Sequence, residues 1–240
     1  MPRNNPNEGS PNPAKRWFTW AGDKGNLKYY DKETQTEIEV DLPFEFILLD
    51  RLAVVRGWHD ASESGITSNE VRRIQDEPFT VRAFKMKEPI ASGFYSDIKD
   101  RVKSAGGKFN TNLYIAFTDD GGELEIGSLM LHGAAMSAWF DLENGKETRP
   151  LLYKRGIVIP DYKEGKKGSI KFRVPNFTLV QLPEDLDDKA GALQVELKSY
   201  LSKYLGARKP KDELDQRTAT DEASEDQRPQ LDEDGEEIPF

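Results

Sequence analysis

The sequence predicts a mainly β protein with short helices, a closing C-terminal helix and an acidic tail. Between residues 14 and 182, short apolar segments rich in β-branched and aromatic residues are separated by turn-forming Gly, Pro, Asn and Asp. From Leu186 to Tyr204 the apolar residues instead step by three or four, which is the spacing of an amphipathic helix. Beyond residue 206 this periodicity stops and acidic residues dominate. We therefore expect a flexible arm over 1–13, one domain over 14–206 and a disordered tail over 207–240.

The net charge of the chain is concentrated in the tail. The whole sequence carries 34 basic and 43 acidic side chains, a net charge of −9. Residues 211–240 hold 12 of the acidic and 3 of the basic ones, so this segment alone carries −9 and residues 1–210 are left with 31 of each. A neutral body can still present a basic groove on one face, for which the tail can compete. The low overall pI therefore does not exclude a nucleic-acid partner.

The first structured segment after the arm is basic and aromatic. Residues 15–20 (KRWFTW) combine two cations with three aromatic rings. This composition is typical of a surface that stacks bases while it neutralises phosphate. The alternative is that Trp17 and Trp20 fix the arm to the core.

The next segments predict a hairpin and a long strand. Residues 27–30 and 36–42 flank a polar turn. Residues 44–58 are long for one strand, as is the first strand of small Greek-key barrels, which serves both halves of the barrel. Alternate residues of a strand share a face, so Arg56 and Trp58 lie at the far end of one apolar face. That face is formed by Phe44, Phe46, Leu48, Leu52 and Val54. We expect Arg56 and Trp58 to contact bases; the alternative is that Trp58 caps the core while Arg56 reaches solvent.

The middle of the chain alternates loop, strand and helix. Residues 59–75 are polar and predict a loop that ends in Arg72 and Arg73. Residues 79–87 predict a strand whose open face carries Arg82 and Phe84, with Lys85 and Lys87 extending the positive charge. Residues 95–105 predict a short amphipathic helix that Gly106-Gly107 ends.

A second hairpin and a buried helix follow. Residues 109–118 and 123–131 flank the turn sequence Asp-Asp-Gly-Gly. Leu113, Ile115 and Phe117 suit the core, which leaves Tyr114 on the other face for stacking. Residues 133–142 predict a short helix with Trp139 in the core.

The last two strands complete the predicted sheet. Residues 151–159 place an aromatic between charges, as Tyr153, Lys154 and Arg155. A basic loop over 161–168 leads to residues 169–182, where alternation places Lys171 and Arg173 on an open face.

The end of the sequence is a carboxylate run in front of an apolar tip. Residues 232–240 (DEDGEEIPF) place five acidic side chains before Ile-Pro-Phe. This ending resembles the acidic C-terminal tip of bacterial single-stranded-DNA-binding proteins, which finish in a carboxylate run followed by Ile-Pro-Phe. Some phage single-stranded-DNA-binding proteins likewise have an acidic tail that ends in an aromatic residue. The match covers nine of 240 residues and implies a peptide that docks on partner proteins, with these docking residues: Asp232, Glu233, Asp234, Glu236, Glu237, Ile238, Pro239 and Phe240.

Strand spacing and this resemblance together favour an elaborated OB-type β-barrel, with a β-sandwich as the alternative. The resemblance implies sequence-independent binding and protection of single-stranded DNA during phage DNA replication or recombination, while the tip recruits replication, recombination or repair proteins. The alternative is an acidic-tailed interaction or assembly factor that does not bind nucleic acid. The candidate DNA-binding residues are Trp17, Trp20, Arg56, Trp58, Arg72, Arg73, Arg82, Phe84, Lys85, Lys87, Lys108, Tyr114, Tyr153, Lys154, Arg155, Lys171 and Arg173.

The sequence offers little for catalysis. Cysteine is absent and only two histidines are present, so we expect no disulfide, metal or other cofactor. Gly106-Gly107-Lys108 lacks the phosphate-loop pattern and follows its helix rather than preceding it, so no nucleotide-hydrolysing site is predicted. Glu123 and Glu125 share a strand face without a histidine or metal motif, so we expect no enzyme; a nuclease would be recognised by metal-dependent degradation of DNA.

Without an apolar signal core or membrane-length segment, the expected protein is cytoplasmic, without a membrane partner and with a possible homodimer.

Overall fold

The computed structural model describes residues 11–206 and two short strands beyond them, at 230–231 and 237–238. The helices are α1 Tyr95–Ser104, α2 Gly133–Asn144 and α3 Glu184–Gly206. The strands are β1 Arg16–Ala21, β2 Asn26–Asp31, β3 Thr36–Val40, β4 Phe44–His59, β5 Ser64–Ser68, β6 Phe79–Ala83, β7 Ala91–Gly93, β8 Gly107–Thr118, β9 Leu124–His132, β10 Gly156–Ile159, β11 Tyr162–Lys167, β12 Ile170–Pro175, β13 Thr178–Val180, β14 Gln230–Leu231 and β15 Glu237–Ile238. The predicted mainly β class with a C-terminal helix is confirmed.

Eleven strands form one sheet. Its main path runs in the order β3-β2-β1-β9-β8-β4-β5-β6-β7, while β10 pairs with the start of β4 and β13 pairs with β10. The β1–β9 pair is parallel, and the other pairs of this sheet are antiparallel. Among the described residues no ladder joins β3 to β7, so closure of an OB-type barrel stays a prediction.

Strand β4 is the long strand that the sequence predicts, and it serves two parts of the sheet. Its start pairs with β10, its end pairs with β5, and its other edge pairs with β8. The register shifts between Leu48 and Asp50, as a β-bulge does. One extra residue exchanges the two faces of a strand whose period is two. The predicted single apolar face is therefore wrong beyond the bulge: Phe44, Phe46 and Leu48 share one core with Ala53 and Val55, whereas Leu52 belongs to the other.

The sheet lies between helices. On one face, α1 and α2 cover the larger core, which contains Ile98, Val102 and Trp139 together with Leu113, Ile115 and Phe117 as predicted. On the opposite face, α3 buries Leu197 and Leu201 against Ile47, Leu49 and Leu52 of β4. The three predicted helices and the hairpins β2–β3 and β8–β9 are confirmed.

Four segments differ from prediction. The predicted loop over 59–75 contains β5, because Ile66 is buried while its neighbours on the strand are small or polar. The predicted strand over 79–87 ends at Ala83 in a turn that Met86 closes with a hydrogen bond to the Ala83 carbonyl at 3.0 Å. The predicted strand over 151–159 begins only at Gly156, after a 3₁₀ turn over Arg149–Leu151. The predicted loop over 161–168 and the predicted sheet strand over 169–182 are both wrong: β11 and β12 form a separate two-stranded hairpin, and of this segment β13 joins the sheet.

Both termini fall largely outside the described residues. Positions 1–10, 207–229, 232–236 and 239–240 are not described, which includes most of the predicted arm, tail and docking tip. Within the tail, the backbones of β14 and β15 pair in antiparallel fashion.

Candidate nucleic-acid interface

A row of basic side chains crosses four strands on one face of the sheet. Lys108 of β8 lies opposite Arg56 of β4, Arg56 lies opposite Thr67 of β5, and Thr67 lies opposite Arg82 of β6. Residues directly opposite each other project from the same face. Three strand spacings of about 4.8 Å place the ends of this row roughly 14 Å apart. We call Lys108, Arg56 and Arg82 the cation row.

Two exposed aromatic rings lie beside the cation row. Trp58 is two residues beyond Arg56 and lies opposite Gly65, so it projects from the same face. The Phe84 amide donates to the Gly65 carbonyl at 3.0 Å, and a Cβ placed on Gly65 would lie 3.0 Å from the Phe84 ring. The ring therefore covers Gly65 on the face that carries Trp58. Trp58 is 57% and Phe84 72% exposed, and we call them the ring pair.

Glycines allow the backbone to bring Lys108 beside Arg56. Gly106 ends α1 with a φ of +88°, and a Cβ on it would overlap the Trp58 carbonyl oxygen. A Cβ on Gly57 would likewise overlap the Gly106 carbonyl oxygen. Side chains at these positions would push the start of β8 away from β4. The glycine pair that is predicted to end α1 thus also fixes one end of the cation row.

Within the described residues, the three cations of the cation row have no acidic partner. No carboxylate of the described residues forms an ion pair with Arg56, Arg82 or Lys108. The Arg56 guanidinium donates to the Thr67 hydroxyl, which orients it. Lys85 and Lys87 are exposed in the turn after β6. This end of the face therefore combines unpaired positive charge with open rings.

The rest of this face is closed by α3 and a buried polar network. The Gln194 side chain of α3 donates to the Leu49 carbonyl at 3.0 Å. Between α3 and the cation row, buried Glu70 accepts hydrogen bonds from Asn112 at 2.7 Å and from the Tyr114 hydroxyl at 3.1 Å. Ser128 in turn donates to Asn112 at 2.5 Å. Among the described residues, α3 and this network thus leave the Arg56 end of β4 uncovered on this face.

The structure corrects the stacking role predicted for Tyr114 and Trp20. Tyr114 is fully buried, and burial beside Glu70 raises the pKa of its hydroxyl far above the usual value. Trp20 is buried in the main core and its indole N–H donates to the Arg173 carbonyl at 2.8 Å. Neither ring is available to a base.

Arg72 is also committed to the fold. Its two guanidinium NH groups each lie 2.7 Å from an oxygen of Asp50, which is buried. This bidentate pair holds the pKa of Arg72 above its usual value. Arg73 is exposed and pairs with Asp76 at 3.6 Å. Neither arginine is therefore an unpaired cation like those of the cation row.

The candidates of the last two predicted strands are not on the sheet. Tyr153, Lys154 and Arg155 lie in the turn before β10 instead of on a strand. Lys171 and Arg173 belong to the β11–β12 hairpin, and the Arg173 guanidinium lies 5.2 Å from the centre of the Tyr162 ring. These five residues therefore do not extend the cation row.

Trp17 shares the face of the ring pair but lies far from it. It is opposite Ser128, whose neighbour across the ladder is Tyr114, so its 40% exposed ring projects from the same side. Lys32 lies 4.7 Å from the centre of this ring. Three strand spacings and the length of β4 beyond the bulge separate Trp17 from Trp58 by roughly 30 Å.

Gly65 and Thr67 are site residues that the sequence does not predict. They lie within the segment predicted to be a loop, and they become visible only once Ile66 is recognised as a buried strand residue between them. The local signals for this strand are weak: Ile66 and Thr67 favour a strand, whereas glycine does not.

Comparison of the chain with models of protein families, with curated proteins and with solved structures finds no match in any of the three. Among the described residues, no three acidic or histidine side chains are grouped so that they can hold a metal ion. None of the described helices is long and apolar enough to cross a membrane.

Proposed function

We propose that this protein binds single-stranded DNA on the open end of the sheet face. The observation that carries the proposal is the ring pair beside a cation row that has no acidic partner among the described residues. Unpaired cations neutralise phosphates and give affinity that depends on salt. Exposed rings stack on any base, because every base has a π face.

A single strand suits this geometry better than a duplex. The bases of a duplex are already stacked on one another, whereas the bases of a single strand are free to lie on protein rings. Gly65 places no side chain between Trp58 and Phe84, and among the described residues no ring contact joins these two rings. Each ring therefore retains a face for a base.

The C-terminal resemblance extends the proposal to a biological role. We propose that the protein coats single strands during phage DNA replication or recombination and that residues 232–240 recruit partner proteins. This part rests on the sequence of the tip, which lies largely outside the described residues.

The test is a titration of labelled oligo-dT followed by fluorescence anisotropy. Wild-type protein is expected to bind at micromolar concentration in low salt and to leave the oligonucleotide intact. Trp58→Ala and Phe84→Ala are each expected to weaken binding by about 1–3 kcal/mol, roughly 5- to 150-fold in Kd. The matched control is Phe94→Ala, because Phe94 is 42% exposed at the start of α1.

The outcomes separate the proposal from its alternatives. No binding by the wild type in low salt would leave an interaction factor that does not bind nucleic acid. Metal-dependent loss of the oligonucleotide would indicate a nuclease. Equal losses in Phe94→Ala and the ring-pair variants would refute the assigned surface.

A further inference from the structure

The β11–β12 hairpin is a second basic surface, separate from the cation row. Among the described strands, its two strands pair with each other and with no other, and most of its residues are exposed. The hairpin carries four lysines, Lys163, Lys166, Lys167 and Lys171, which are all exposed. Gly168, with a φ of +59°, forms the turn at its tip.

The base of the hairpin is fixed to the main sheet. The Arg173 amide donates to the Gly22 carbonyl at 2.7 Å, and the Trp20 indole donates to the Arg173 carbonyl at 2.8 Å. The Arg173 guanidinium also donates to the Asp23 carbonyl oxygen. These hydrogen bonds on both sides of the Arg173 backbone hold the hairpin in one orientation, so its tip presents its lysines from a fixed position.

The tip carries an electrostatic cost within the fold. Lys166 and Lys171 lie directly opposite each other, and like charges at that position destabilise a strand pair. No carboxylate of the described residues forms an ion pair with either of them. Lys167 lies opposite Ile170, which is 69% exposed. A bound polyanion would offset this repulsion.

We infer that the hairpin tip binds the phosphodiester backbone of nucleic acid without stacking on bases. The tip residues 166–171 include no aromatic side chain. The nearest ring of the hairpin, Phe172, packs so closely over Gly165 that a Cβ there would overlap the ring. Since nothing at the tip needs an unpaired base, this site accepts the backbone of duplex DNA as well as that of a single strand, which goes beyond the proposed function of the sheet face.

The test compares two probes and two triple variants of the full chain. The probes are a labelled 30-base-pair duplex and a short oligo-dT, and the tip variant is K166A/K167A/K171A. The control variant R101A/K189A/K198A removes the same charge from exposed positions on α1 and α3. The tip variant is expected to lower the slope of log affinity against log salt for the duplex by about 0.9 for each phosphate that the protein no longer neutralises, hence by roughly 2 to 3. Affinity for short oligo-dT, which reports on the sheet face, should stay within about twofold of the control.

A charge reversal separates binding from folding. Lys171→Glu turns the repulsive pair with Lys166 into an attractive one, so the hairpin is stabilised. The melting temperature should be retained while duplex affinity falls more than in Lys171→Ala.

The inference would be overturned if the wild type did not bind duplex at micromolar protein in low salt. It would also be overturned if the tip and control variants gave equal salt slopes for duplex. A third contrary result is binding to anionic lipid vesicles that depends on the tip, together with duplex binding that does not. Failure of oligo-dT binding with duplex binding retained would instead refute the function proposed for the sheet face.

Discussion

Removing the cation row should change the salt dependence of binding more than any other property. The perturbation is the triple variant R56A/R82A/K108A, which replaces one residue on each of β4, β6 and β8. None of the three side chains forms an ion pair with a described carboxylate. Their replacement therefore weakens ligand binding without leaving a described carboxylate unpaired in the fold.

The magnitude follows from the number of phosphates that the row can neutralise. Each neutralised phosphate of a single strand contributes about 0.7 to the slope of log affinity against log salt, so three phosphates contribute about 2.1. Between 50 and 200 mM salt, the affinity of the wild type should fall by a factor roughly 18-fold larger than that of the triple variant.

The assay is anisotropy of labelled oligo-dT at four or more salt concentrations. Arg56→Lys is a useful companion, because it keeps the charge but not the guanidinium that donates to Thr67; its slope should match that of the wild type. The exposed-charge control R101A/K189A/K198A should also keep the wild-type slope. An unchanged slope in R56A/R82A/K108A, with affinity reduced, would refute the assignment of these cations to phosphates.

Three further predictions concern residues around the site. Gly65→Val places a side chain against the Phe84 ring, which would meet the new Cβ at 3.0 Å. The exposed ring should move away, so oligo-dT affinity should fall by about 1–3 kcal/mol. The melting temperature, followed by circular dichroism, should be retained. Tyr114→Phe removes a donor to buried Glu70 and should lower the free energy of unfolding in urea by about 1–3 kcal/mol without changing oligo-dT affinity. Unchanged stability would contradict the structural role of this hydrogen bond. Burial raises the pKa of Glu143, which pairs with Arg51 at 2.9 Å, so the folded state holds this proton more tightly than the unfolded state and stability is lost as pH rises through the raised pKa. The melting temperature of Glu143→Gln should therefore rise relative to that of the wild type as the pH increases from about 4 to about 7. A difference in melting temperature that stays constant over this range would contradict the raised pKa of Glu143.

Local periodicity predicts most of the fold because each element is long enough to repeat its pattern. Ile98 and Val102 mark α1, and Leu197 and Leu201 lie on the buried face of α3. The pattern fails where an element is short or exposed on both faces. Strand β11 has no buried residue, so its lysines carry no period and resemble a loop.

The bulge in β4 explains why the single apolar face predicted for this strand is wrong beyond Leu48. Continuing the period of two through Leu48 places Leu52, Arg56 and Trp58 on the face of the main core, where they would be covered. The extra residue at the bulge turns them to the opposite face, where Leu52 belongs to the core that contains Leu197 and Leu201 of α3. Long-range pairing with β8 fixes that bulge, and a single strand read in isolation gives no signal of it.

The basic residues that bind an anion are also hard to predict from the sequence, because residues 1–210 carry no net charge. What distinguishes these basic residues is whether the fold supplies an acid beside them. Arg51 meets Glu143 and Arg72 meets Asp50, whereas Arg56 and Lys171 meet no described carboxylate. Which of these arginines has a partner depends on strand register and on α2, neither of which is local in sequence. The cations of the cation row and of the hairpin tip lack an acidic partner among the described residues. Strand pairing fixes the backbone at both places. A polyanion that is bound at the cation row would meet the hairpin tip at a high effective concentration. Oligonucleotides long enough to reach both places should therefore bind more tightly than short oligo-dT. This gain in affinity should vanish in K166A/K167A/K171A.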